Sequence, residues 1–175
     1  MHVEEYFRTA TGGGFKAIEI PYAGDALAAL VLVPEDGGLT PLEKAIDAQT
    51  ITEIVESLER TYVALGLPKF EVRTKMQMGE QLRAMGASAA FSDAANFDPI
   101  HPKLAVDSVI HEAYVEVDEK GTEAAAATGA AMRVTGMPPE ATEMTVDQPF
   151  FFLIYDQPTG SILFVSRVVD PSERP

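Results

Sequence analysis

The chain has no cysteine among its 175 residues. That excludes disulfides, thiolate metal centres and thiol nucleophiles. It does not assign a compartment, because a secreted protein can lack disulfides. Basic residues are scarce: 13 Lys and Arg stand against 27 Asp and Glu, a net charge of −14. Phosphate backbones and anionic lipid surfaces both need basic patches, so neither nucleic acid nor a membrane is an expected partner. No apolar run is long enough to span a bilayer. The opening Met1-His2-Val3-Glu4-Glu5 is acidic and lacks the apolar core of a signal peptide. Of three histidines, His2 and His101 have no partner at metal-ligand spacing. No nucleophile–base–acid set and no cofactor loop is present, so no enzyme activity, cofactor or metal is expected. The Gly12-Gly13-Gly14 run has no following Lys-Ser or Lys-Thr and reads as a turn, not a phosphate loop.

What the chain does have is apolar content of 46% with 23% charged residues, enough for one globular domain with a core. Phe15 to Ile20 and Leu27 to Val33 read as strands around the spacer Tyr22-Ala23-Gly24-Asp25. Two helix starts follow as capping boxes. Thr40-Pro41-Leu42-Glu43 carries Pro at the first helical position, and Thr50-Ile51-Thr52-Glu53 precedes an apolar face of Ile51, Ile54, Val55 and Leu58. Tyr62 to Leu67 and Lys69 to Met76 read as strands broken at Pro68. Gly79 to Met85 reads as a short helix ended by a left-handed Gly86. A long strand is expected over about Leu104 to Asp118, with Val109, His111, Ala113, Val115 and Val117 on one face. Phe150 to Tyr155 and Ile162 to Val169 are near-continuously apolar strands, expected to be buried on both faces. The class is α+β, with strands dominating the second half.

Between the long strand and the terminal hairpin lies Glu119-Lys120-Gly121-Thr122-Glu123-Ala124-Ala125-Ala126-Ala127-Thr128. Local propensity favours an alanine-rich helix. A second reading is a strand that slides between two existing strands, which needs small residues on its buried face because packed interiors have no spare volume. Thr122, Ala124, Ala126, Thr128 and Ala130 share such a face.

That segment resembles the hinge motif of the serpins, the serine-protease inhibitors. Asp147-Gln148-Pro149-Phe150-Phe151-Phe152, with Gly160-Ser161-Ile162-Leu163-Phe164-Val165-Ser166-Arg167, resembles the family's C-terminal signature. Leu67-Pro68-Lys69-Phe70, Leu82 to Gly86, Ala90-Phe91-Ser92 and Val109-Ile110-His111-Glu112-Ala113 match family segments in the same order. The resemblance covers the whole chain and implies the C-terminal part of a serpin fold: B-sheet and C-sheet strands, part of the A-sheet, a few short helices and a reactive-centre loop. The partial domain fills 1–175, with the loop at about 119–146 and the terminal B-sheet hairpin at about 149–169.

The resemblance also implies a mechanism. A serine protease attacks the loop and forms an acyl-enzyme. The cleaved loop then inserts as a strand and distorts the protease before the ester hydrolyses. Implied roles are the hinge, at Glu119, Gly121, Thr122, Ala124, Ala126 and Thr128, and a scissile bond near Thr135-Gly136. That bond favours an elastase-like or subtilisin-like target. A bond after Arg133 instead implies a trypsin-like one, and Val134 and Met132 are further alternatives. His111, on the apolar strand face, is implied to lie in the shutter cluster beneath the A-sheet, a structural role. Glu116, Asp118 and Glu119 read as a solvated strand end. A complete serpin is about twice this long, so the missing N-terminal half is an expected partner. Without it, the alternative is a noninhibitory fragment that binds by strand addition. Family habit implies an extracellular location, with a cytoplasmic one open in the absence of a signal.

Overall fold

A computed structural model of the chain describes residues 1–35, 38–118 and 140–170. Two compact units result, Met1–Glu71 with Glu116–Pro175, and Val72–Val115. The α+β class expected from sequence holds.

The first unit is built on strands β1 (His2–Gly12), β2 (Phe15–Pro21), β3 (Leu27–Pro34), β4 (Glu59–Gly66), β7 (Thr142–Thr145), β8 (Phe150–Asp156) and β9 (Ile162–Val168). They form one seven-stranded sheet in the order β7-β4-β1-β2-β3-β8-β9. Neighbours are antiparallel except β4 and β7, which run parallel. Strand β1 joins the two halves of the sheet: His2–Thr9 pairs with β4 and Arg8–Gly12 with β2. The β1–β2 turn places Gly13 and Gly14 at φ 63° and 83°, a left-handed geometry that L side chains resist.

Alternation decides what each face meets. On one face Ala17, Leu30, Leu32, Phe151, Leu153 and Tyr155 pack under helices α1 (Leu39–Ala45) and α2 (Ala48–Ser57). Ile51 and Ile54 form the buried edge of α2, and Leu58, just past its end, is buried with them, as their spacing predicts. Each large apolar side chain so buried contributes roughly 1.5–3 kcal/mol. The opposite face holds Ile18, Val31, Phe150 and Phe152, all almost fully buried. The Phe70 ring stands edge-on to Phe150 and Phe152 at centroid distances of 5.3 and 5.2 Å.

Both helix starts fall earlier than the capping boxes predict. Helix α1 begins at Leu39 after Gly38, and Thr40 makes no cap, because burying Leu39 draws the first turn forward. Helix α2 is capped by Asp47, whose Oδ1 accepts from the Thr50 amide at 2.8 Å. Those hydrogen bonds from Thr50 hold the Asp47 carboxyl below its ordinary range. The Thr50 hydroxyl lies within hydrogen-bond distance of both Asp47 Oδ1, at 2.9 Å, and the Ala45 carbonyl, at 3.0 Å, and can donate its one proton to either.

Strand β9 corrects a further expectation. Val168 and Ser166 are buried, but Ile162, Leu163, Phe164 and Val165 are exposed. It is the last strand of the sheet, so a continuous apolar run here does not mean burial on both faces.

Strands β5 (Phe70–Gln77) and β6 (Ile110–Val117) form a separate two-stranded sheet. The strand expected over about Leu104 to Asp118 is shorter, beginning only at Ile110 and ending at Val117. In the second unit, helix α3 (Gly79–Ala84) precedes a left-handed Gly86 at φ 101° and the 3-10 turn Ala87–Phe91. There Arg83 lies over the Phe91 ring at 4.3 Å, and Arg73 pairs with Glu112 at 2.6 Å.

Candidate reactive-loop region

The hinge residues Glu119, Gly121, Thr122, Ala124, Ala126 and Thr128 lie outside the described residues. So do Arg133, Val134, Thr135 and Gly136. The structure does describe the two feet of this segment. Before it, β6 ends on Val117, which is buried and lines a small cavity of about 40 Å³ together with Ile20, Leu67 and Phe152 among others. Of the acidic residues at this strand end, Glu116 is exposed and Asp118 half-buried, and Glu119 lies outside the described residues. After it, Thr142–Thr145 add in parallel to the edge of β4 as β7. Met144 and Val146 are buried there, and the Val146 amide donates to the Gly66 carbonyl at 2.8 Å. Both feet are thus fixed in the first unit by apolar burial and main-chain pairing. Sequence periodicity does not find β7, because four residues with one buried side chain carry no readable pattern.

His111 lies in β6 and is exposed, while Val115 and Val117, on its side of the strand, are buried. His101 is exposed as well, with Nδ1 2.7 Å from the Pro102 carbonyl.

One buried polar cluster escapes sequence reading. Glu19, in the middle of β2, is 4% exposed. Arg8, its register partner on β1, holds both carboxylate oxygens at 2.9 and 3.0 Å and donates a further bond to the Val55 carbonyl in α2 at 2.8 Å. The Tyr155 hydroxyl of β8 donates to Glu19 Oε2 from the other side. Burial, then the Glu19 carboxylate, push the Tyr155 phenol well above its ordinary value. The cluster ties three strands and a helix together. A charged residue within an apolar strand is its only trace in the sequence.

A floor of small residues marks a further feature. Beside β7, the groove over Ala64 and Gly66 has a volume of about 430 Å³ and is walled by His2, Glu4, Glu143 and Thr145.

The family model described as serpin (serine protease inhibitor) matches residues 1–171. An uncharacterized serpin-like protein of Methanosarcina acetivorans is 38% identical over 176 residues, which cover 98% of this chain and 41% of that one. A protein of Cyanea capillata named serine protease inhibitor is 35% identical over 161 residues, covering 89% and 42%. Human thyroxine-binding globulin superposes with a TM-score of 0.81 at 26% identity, covering 99% of this chain and 46% of that structure. The chain thus spans about two fifths of the length of the curated relatives it matches. With the family model matched almost end to end and the fold shared across the whole chain, this protein belongs to the serpin family.

Proposed function

We propose that the chain supplies the bait and its scaffold in a serine-protease inhibitor. The observation that carries this reading is the placement of the hinge-like segment between two fixed feet. Val117 is anchored in the core before it, and β7 is paired to β4 after it. A protease needs an extended loop held at both ends, and the chain provides the anchors for one. The relative named serine protease inhibitor supports the same reading.

In this mechanism the protease serine attacks the carbonyl of Thr135, the Thr135–Gly136 bond breaks, and Gly136 leaves as the new amino terminus. The alternatives are cleavage after Arg133 or Val134, with Arg133 selecting a trypsin-like enzyme and Thr135 an elastase-like or subtilisin-like one. Gly121 supplies the reversal, and Thr122, Ala124, Ala126 and Thr128 supply the small face that enters the A-sheet. Insertion needs strands on both sides of the gap, so it requires an N-terminal half in addition to this chain. His111 takes a place in the shutter once that half is present. The inhibitor itself is not an enzyme: the chemistry is the protease's. Family habit supports an extracellular site of action.

The exposed apolar side chains of β9 favour a second reading, a noninhibitory piece that binds by strand addition at its sheet edge.

Incubation with elastase, subtilisin, chymotrypsin and trypsin, followed by denaturing gels and mass analysis, separates the two. A covalent band at the summed mass establishes inhibition by this chain. Cleavage near Thr135 without such a band means that the bait is present and the trap incomplete. Absence of cleavage between Thr128 and Glu140 removes the reactive-loop reading and leaves strand addition.

A further inference from the structure

Between the 3-10 turn Ala87–Phe91 and β6 the chain of the second unit forms neither helix nor strand. Residues 98–105 are exposed throughout. Two anchors bracket the end of this run. The amides of Ile100 and His101 donate to the Phe97 carbonyl at 2.8 and 3.0 Å, and the Val106 amide donates to the Ala90 carbonyl at 2.9 Å. Between the anchors, the amides of Lys103, Leu104 and Ala105 donate to nothing among the described residues. Lys103 sits at φ 61°, in the left-handed region that side chains other than glycine resist.

A serine protease binds its substrate as an extended strand, so a folded chain must first open locally around the scissile bond. Opening 98–105 gives up no buried side chain and, at 103–105, no amide hydrogen bond. It also releases Lys103 from its left-handed geometry. The Lys103 ammonium is exposed and, among the described residues, has no ion pair, so it is free to enter an acidic specificity pocket. The other described basic residues lack this combination. All of them except Lys69 lie in helices or strands, and Lys69 stands between the buried Leu67 and Phe70.

We propose that Lys103–Leu104 is a second protease-sensitive bond of this chain, separate from the bait loop and cut by a trypsin-like enzyme. The protease serine takes the Lys103 acyl group and Leu104 leaves as a new amino terminus. Water then hydrolyses the ester, its oxygen ending in the Lys103 carboxylate. The inference does not rest on the inhibitor reading, because here the chain is a plain substrate. Strand pairing decides what the cut leaves. Residues 1–103 keep β1 to β5, and residues 104–175 keep β6 to β9. The β3–β8, β4–β7 and β5–β6 pairings all cross the cut, and Phe70 of one piece packs against Phe150 and Phe152 of the other. The product is a nicked chain that stays assembled. Its β6, the strand that leads into the hinge-like segment, is then no longer tied through the backbone to α3.

Limited digestion of the full chain with trypsin, sampled over time, tests the proposal. New amino termini are quantified by sequencing, so cuts after Lys103 are scored apart from those after Lys120 and Arg133. The terminus beginning at Leu104 is expected to form about tenfold or more faster than the one beginning at Met76, which reports Lys75 within β5. Lys103→Gln should abolish the Leu104 terminus and Lys103→Arg should retain it. The side chain is exposed, and Tm values equal to that of the parent verify that both variants keep the fold. Size exclusion of the nicked chain should give one peak at the volume of the uncut chain, while a denaturing gel shows two pieces. A Leu104 terminus that forms no faster than the Met76 terminus, or one that persists in Lys103→Gln, overturns the site. Pieces that separate on size exclusion overturn the assembled nicked state.

Discussion

Arg8 and Glu19 face each other across β1 and β2, with Nη1 of the guanidinium 2.9 Å from Oε1 of a carboxylate that is almost wholly buried. Arg8 also holds the end of α2 through the Val55 carbonyl. Removing the arginine strands a charge inside the sheet. Arg8→Met is expected to destabilise the chain by about 2–3 kcal/mol. That is below the 3–5 kcal/mol of a fully buried pair, because the Arg8 side chain is 41% exposed. Glu19→Gln, which removes the charge and keeps a hydrogen-bonding group, should cost less. Urea denaturation of both variants checks the order; equal losses would refute the stranded-charge account.

The same cluster sets a response to alkali. Burial and the Glu19 carboxylate raise the Tyr155 phenol above its ordinary 10.0, so the folded state holds this proton after the unfolded state has lost it. The stabilisation is complete below pH 10 and declines as pH rises through the elevated folded value. Thermal melting between pH 8 and 12 should show a falling Tm above pH 10, with a shallower fall in Tyr155→Phe. Part of the slope should survive, because burial raises Tyr22 as well. A slope unaltered by Tyr155→Phe contradicts the assignment.

Phe70 is 3% exposed and stands edge-on to two phenylalanines of β8. Phe70→Ala opens a cavity that the surrounding strands cannot fill, and a loss of about 3–5 kcal/mol is expected. Phe70→Leu should retain more than half of the stability so lost. The denaturant midpoints of the two variants provide the check.

Among the described residues β9 is the last strand of its sheet, and it exposes Val165 at 59% in its middle. Val165→Lys places a charge where another strand would add, and it should suppress self-association with little change in Tm. Sedimentation velocity over a concentration series measures this. An unchanged oligomer distribution shows that the β9 edge is not used for strand addition.

The sequence marks the strongest elements clearly. Strands β2, β3 and β8 lie within a residue of their apolar runs, because hydrophobic runs bounded by Gly, Pro and Asp leave few alternatives. Strand β1 is harder to find: in His2–Gly12 only Phe7 is buried, and Glu and Thr dilute the alternation. The helix starts shift because two candidate caps compete within three residues, and burial of Leu39 and the carboxylate of Asp47 decide between them.

By itself the sequence determined the α+β class and the family, because ordered local motifs carry those. Tertiary structure alone decided which apolar strand is covered. Phe150–Asp156 and Ile162–Val168 read alike in composition, yet one lies inside the sheet and the other at its edge. Burial depends on neighbours brought from elsewhere in the chain, and strand order is not written in any one strand. The groove over Ala64 and Gly66 has the same origin. Its walls come from positions 2–4 and 143–145, which only the pairing of three strands brings together.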